Sequence, residues 1–247
     1  MIEQPQVVSI KVIAGKNQVL NVPPPPPIGG DPGGGGNTPC PPANNTSPAL
    51  TDIKNELTGC NGVVVDKLKN KNMVGQVASI IQTTFGTTDK VNAMFIESTE
   101  TYNRPAFSFP LKNVTKSDGS RQYDFLIRVN TNVLPRDASQ EFKAAIFVHE
   151  LLHGYLSYVN SSKANTQMLQ HYDIATKYVN GIASLLNNVF GVNINIATSL
   201  ALGGVKDLSV SNPTTYNQIL KDHNTTQSQI NVDYEYQRAG LEGTKCP

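Results

Sequence analysis

The chain has no tryptophan, only 16% charged residues, and three cysteines, Cys40, Cys60 and Cys246, in 247 residues. Each scarcity excludes something. No two cysteines form a CxxC pair, so a structural zinc knuckle is not expected. A disulfide between two of them with the third left over, or three free thiols, both stay open, and with them the redox compartment. No stretch of 18 apolar residues occurs, so no transmembrane helix is expected. The net charge is +1 and no long Lys/Arg run is present, so no basic face is expected and no nucleic-acid partner with it. The start, MIEQPQVVSI, lacks the basic and apolar regions of a signal peptide. The expectation is a chain that stays inside the cell or forms the C-terminal piece of something longer. P-loop, dinucleotide-binding and GxSxG motifs are missing, which leaves nucleotide-dependent and serine-hydrolase functions without support.

What is present is unevenly distributed. Residues 1–22 form a short β-prone segment with Val7, Val8, Ile10, Val12 and Ile13. Residues 23–48 are a Pro/Gly-rich linker, with prolines from Pro23 to Pro27 and glycines from Gly33 to Gly36. Poly-Pro is extended and Gly-rich chain is flexible, and neither buries a core. The folded domain is therefore placed at 49–247.

Within that domain, 49–58 and 64–85 read as helical and 92–98 as a strand. Residues 106–116 and 121–130 read as a hairpin across Ser117-Asp118-Gly119-Ser120, because Asp-Gly between extended segments is a turn signal. Tyr123, Phe125, Ile127 and Val129 alternate along the second strand, and Leu126 breaks the pattern, so its other face is partly covered. A helix follows Pro135, with Asp137 and Gln140 resembling a capping box and Phe142, Ala145, Ile146, Leu152, Leu156 and Val159 at helical spacing. A second helix spans about Thr166 to Phe190, stopped by Gly191. Short helices are expected at 195–208 and 213–222.

The first of the two long helices contains His149-Glu150-Leu151-Leu152-His153. Residues four apart on an α-helix lie ~40° apart in projection. His149 and His153 therefore present their imidazoles on one face, as two ligands of one tetrahedral zinc require. Glu150 sits beside them, placed to act on a water rather than to ligate. A catalytic zinc needs a third protein ligand. The extension HExxHxxGxxH fails, since Leu156 and Val159 occupy its Gly and His positions, and no Glu occurs between Glu150 and Glu235. His171 and Asp173 remain. His171 is favoured because imidazole is the commoner zinc partner; Asp173 stays open as ligand, as an acceptor orienting a histidine, or as a solvated charge. Tyr172, Tyr178, Tyr234 and Tyr236 are available as oxyanion donors, although packing is the more frequent role of such residues.

With HELLHGYL at 149–156 and Gln170-His171 opening the next helix, the chain resembles the SprT-like zinc metallopeptidases, a branch of the zincins. The likeness covers about residues 120–190. It implies His149, His153 and His171 as ligands of one zinc ion and Glu150 as catalytic base. It also implies an edge strand above the HExxH helix that pairs with extended substrate; 121–130 is the candidate for that role, and a plain core strand is its equal alternative. The family's action on DNA-attached protein is not carried over, since no basic extension accompanies the motif. The resulting expectation is an α+β, zincin-like domain in which the HExxH helix packs on a second helix and a small antiparallel sheet, hydrolysing protein or peptide substrates. The alternatives are a non-catalytic zinc-stabilised binding module and a protease-type effector module of a larger bacterial protein.

Overall fold

In the computed structural model, the described residues are 52–70, 72–86, 91–100, 102–115, 117, 119, 121–160 and 166–246. The β-prone segment 1–22 and the Pro/Gly linker 23–48 lie outside them.

The fold is α+β, with helices packed on one small sheet. Strands β1 (Ile53–Asn55), β2 (Val91–Ser98), β3 (Ala106–Thr115) and β4 (Arg121–Asn130) lie in the order β1-β2-β4-β3. The sheet is mixed rather than antiparallel. β1 and β2 run parallel, β2 and β4 run parallel, and only the β3–β4 hairpin is antiparallel. The hairpin follows from Gly119, whose φ of 79° is the left-handed turn conformation that glycine accepts without strain. β4 lies between β2 and β3, so of the two readings of 121–130, edge strand or core strand, it is the core strand. Its buried Leu126, Phe125 and Ile127 show both faces covered. β3 ends the sheet, and Pro110 is tolerated there because an outer strand needs only one ladder of hydrogen bonds.

The helical reading of 49–58 fails at β1, where three residues pair with Ala93, Met94 and Phe95. That pairing is long-range, so local propensity does not reveal it. The helix expected at 64–85 is two helices, α1 (Gly59–Leu68) and α2 (Gln76–Thr84), separated around Gly75, whose φ is 110°.

Helix α3 (Gln140–Val159) is the centre of the domain. Its cap is Ser139, whose Oγ accepts from Phe142 N at 3.0 Å, and not Asp137. Nearly all of its circumference is buried. Phe147 meets Phe95 of the sheet edge-to-face at 5.5 Å. Gly154 lies directly over Phe125 of β4, where a Cβ would come within 2.1 Å of the ring. The close approach of helix and sheet therefore depends on that missing side chain. On its other sides α3 packs against α1, α5 (Val179–Phe190), α6 (Ile194–Gly203) and α9 (Gln227–Arg238).

The helix expected from Thr166 to Phe190 is one helical run with a change of pitch. Thr166 caps α4 (Gln167–Asp173), a π-helical turn covers Ile174–Tyr178, and α5 ends at Gly191 with φ 72°. The wider turn shifts the phase between His171 in α4 and the buried Ile182, Leu185 and Leu186 of α5. One run can thus aim a polar side chain at α3 and still pack an apolar face. α7 (Leu208–Ser211) and α8 (Pro213–Asp222) follow, and α9 has no counterpart in the sequence reading.

Cys60 of α1 and Cys246 form a disulfide with Cα atoms 5.3 Å apart. It anchors the C-terminal segment beside the start of α3. There Gln140 N donates to Thr244 O at 2.9 Å and Thr244 N donates to Glu141 Oε2 at 2.9 Å. Cys40 lies outside the described residues. No described helix is long and apolar enough to cross a membrane.

Candidate metal centre

Two helices bring three imidazoles to one point. α3 supplies His149 and His153, one turn apart, and α4 supplies His171. Their relative exposures are 8%, 6% and 6%. The Nε2 atoms form a triangle with sides of 2.9 Å (His149–His153), 3.2 Å (His149–His171) and 3.2 Å (His153–His171). Ligand atoms ~2.05 Å from a tetrahedral ion lie ~3.3 Å apart, so the triangle has the size of one face of that tetrahedron.

The outer nitrogens set the protons. His153 Nδ1 donates to Gln170 Oε1 at 2.5 Å, and Gln170 is oriented by its own Nε2 donating to Ser157 Oγ at 2.8 Å. His171 Nδ1 donates to Asp207, 2.8 Å from Oδ1 and 2.7 Å from Oδ2. A neutral imidazole protonated at Nδ1 carries a lone pair at Nε2. With both rings neutral, the His153 and His171 Nε2 atoms, 3.2 Å apart, are two buried acceptors facing each other. A proton on His149 Nε2 can satisfy only one of them. Protonating further is opposed: burial, then the charges of the neighbouring histidines, hold His149 well below its usual range, and burial holds His153 at about 4. A cation at the centre of the triangle satisfies all three lone pairs at once. The described residues contain this one group of three convergent ligands, so the three histidines can hold a metal ion.

His149 differs from the other two. Its Nδ1 is buried and has no hydrogen-bond partner among the described residues. It is backed instead by Gly204, where a Cβ would stand 2.8 Å from Nδ1. The sharp turn after α6 thus keeps its backbone against the ring.

Glu150 lies beside the triad, 8% exposed. Burial pushes its carboxyl up to about 7, opposed by hydrogen bonds from the Ser108 hydroxyl and backbone N–H and by the positive charge of Arg104. Ser108 is on β3, so the outer strand touches the Glu150 carboxylate beside the metal centre. Between β3 and α3 a cavity of about 410 Å³ opens onto the triad, lined among others by Ser108, Phe109, Glu150 and His153.

All four residues singled out from the sequence converge here. Asp173 does not: its Oδ1 pairs with Lys177 Nζ at 2.6 Å within its own helical run. The acceptor that orients a histidine is Asp207, which the sequence reading missed. Its side chain is 52% exposed and sits in a polar turn, so nothing local marks it off from a solvated charge. Gln170, adjacent to His171, was likewise unassigned. Of the four tyrosines only Tyr234 lines the cavity, where its ring packs on Phe142. Tyr123 and Phe125 of β4 line the cavity, but β4 is paired on both sides and cannot add a substrate strand; β3, which also lines the cavity, is the strand with a free edge.

No protein-family model matches this chain, and no curated protein or solved structure matches it either.

Proposed function

We propose that the chain is a zinc-dependent metallopeptidase of SprT-like, zincin type, with Glu150 as its base. The observation that carries the reading is the placement of the Glu150 carboxyl, next in sequence to a histidine of the three-histidine centre and on the lining of the open cavity that reaches it. A purely structural site has no use for such a group and closes its coordination with a fourth protein ligand. Here the described residues supply three. Nitrogen-only ligation at tetrahedral spacing suits zinc over magnesium or calcium, which prefer oxygen.

Zinc held by His149, His153 and His171 would polarise a carbonyl and lower the pKa of a water toward ~7. The chain's own residues do the rest. Asp207 and Gln170 fix two imidazoles in the tautomer that leaves Nε2 free to ligate. Glu150, beside the centre and open to the cavity, takes the proton of the attacking water and returns it to the leaving amine. Ser108 steadies that carboxylate and ties its position to β3. The outer edge of β3 offers main-chain groups to an extended peptide lying in the cavity.

The test is elemental analysis of wild type and His171→Ala, alongside cleavage of an unstructured casein. About one zinc per wild-type chain, lost in the variant, with cleavage that stops on chelation and returns with zinc, is the expected result. Zinc-free wild type that takes up none on addition defeats the metal assignment. Stoichiometric zinc without cleavage of any unfolded protein defeats the peptidase assignment alone.

A further inference from the structure

The cavity has a polarity that the histidines do not explain. Toward the start of α3 its lining is apolar, with Phe142, Ile146, Leu200 and Tyr234. The cations on the lining are Arg104 and Lys206. They are not equivalent. Lys206 Nζ donates to Asn231 Oδ1 at 3.0 Å, which turns it toward α9. Arg104 immediately precedes Pro105 at the head of β3, a position that proline restricts to extended backbone. Its Nη1 donates to Gln167 Oε1 at 2.9 Å, in the first turn of α4. That bond reaches from the sheet side of the cavity to the helix side and holds a guanidinium across the mouth.

A guanidinium carries five N–H donors in a flat fork. Gln167 uses one. None of the ion pairs among the described residues includes Arg104. Glu150 feels its charge but is hydrogen-bonded by Ser108. The fork matches the spacing of two carboxylate oxygens, and Arg–carboxylate pairs are commonly bidentate for that reason. We infer that Arg104 is a specificity residue that binds a carboxylate of the peptide substrate at the α4 end of the cavity. The inference rests on the peptidase reading for the substrate class, and on the guanidinium alone for the chemistry. The carboxylate has two sources, an aspartate or glutamate side chain within a peptide, or the free end of a chain.

Binding separates this from catalysis. Short labelled peptides carrying one glutamate or one glutamine at the same place, each as free acid and as amide, are titrated by fluorescence anisotropy against zinc-loaded Glu150→Gln protein. Metal-free wild type gives the same comparison without turnover if that variant folds poorly. The amidated glutamate peptide binds about tenfold tighter than its glutamine counterpart if Arg104 reads a side chain. The free acids bind tighter than the amides if it reads a chain end. In Arg104→Gln the preference falls to about twofold or less, and Arg104→Lys keeps part of it because the charge remains and the fork does not. Equal affinities in both comparisons, a preference that survives Arg104→Gln, or no binding of any peptide overturns the inference. A carboxylate preference in a protein that never cleaves removes the peptidase reading and keeps the site; cleavage with no preference does the reverse.

Discussion

His171 Nδ1 lies 2.8 Å and 2.7 Å from the two carboxylate oxygens of Asp207, a residue 36 positions further along the chain. The pair joins the helical run that carries the third imidazole to the turn after α6. It fixes both the ring's orientation and its tautomer. Removing such an outer partner costs a metal site about 10- to 100-fold in affinity. Asp207→Ala therefore weakens zinc binding by that amount in a competition titration with a chelating dye. Asp173→Ala, which breaks only the exposed pair with Lys177, leaves the affinity unchanged. Equal affinities for wild type and Asp207→Ala would remove the orienting role.

Glu150→Gln keeps volume and burial while removing the proton acceptor. The variant retains wild-type zinc content, and its kcat falls by about 10²- to 10⁴-fold, the contribution of one general base. Cleavage at the wild-type rate would exclude Glu150 from proton transfer.

The acid stability of the metal-free protein has two opposing parts. His149 and His153 have folded pKa values below the usual 6.5, so they bind fewer protons folded than unfolded, and stability is lost as pH falls below 6.5. His223, also lowered by burial, adds in the same direction. Glu150 is raised from 4.5 to about 7, so its contribution is full below 4.5 and lost as pH rises through 7. Between 6.5 and 4.5 the histidines outnumber the carboxyl. Stability falls on acidification, and it falls more steeply in Glu150→Gln, by ~1.4 kcal/mol per pH unit for the one proton removed. Urea titrations of both proteins at pH 6.5, 5.5 and 4.7 measure the slopes. Identical slopes would show that Glu150 does not hold its proton in the folded state.

The parts of this arrangement that were legible beforehand are those set by short-range periodicity. HELLH declares its geometry because residues four apart on a helix share a face, and His171 stood out in a chain with 4 histidines. The hairpin was legible through Asp-Gly. What stayed hidden depends on partners far away in the chain. β1 is a strand only because β2 pairs with it. The mixed sheet arises because β4 inserts between β2 and β3, a placement that alternation along 121–130, compatible with edge and core strand alike, does not decide. Asp207 resembles any exposed acid until His171 is placed against it. Ser139 displaced Asp137 as cap two residues later, within the usual uncertainty of a helix end.

Gly154, inside the helix after the second histidine, belongs to the hidden class. A glycine there reads as a mild helix weakness, yet its hydrogen faces the Phe125 ring. Gly154→Ala should raise local helix propensity and still destabilise, by about 1–3 kcal/mol, since the added methyl has no room. Phe125→Leu in the same chain should recover part of that loss, and denaturant unfolding of the two single variants and the double variant measures the coupling. Additive effects would mean that α3 and β4 relax apart without cost.

The disulfide makes the last prediction. Cys60 and Cys246 are 186 residues apart, so the bond closes nearly the whole folded domain into one loop, and on the chain-entropy account long loops give the larger stabilisation. The segment it anchors also supplies hydrogen bonds to the first turn of α3, from Thr244 to Glu141 and from Gln140 Nε2 to Lys245 O at 2.9 Å. Reduction, or Cys60→Ser, should therefore cost about 2–4 kcal/mol and lower Tm by about 5–15 °C. The loss should be smaller in zinc-loaded protein at high zinc, because metal binding to the folded state offsets it by mass action. Protein made in a reducing cytosol should carry the low Tm and gain the high one on oxidation in air. A Tm unmoved by reductant, with both thiols shown by alkylation to be free, would mean that the hydrogen bonds alone hold the C-terminal segment in place.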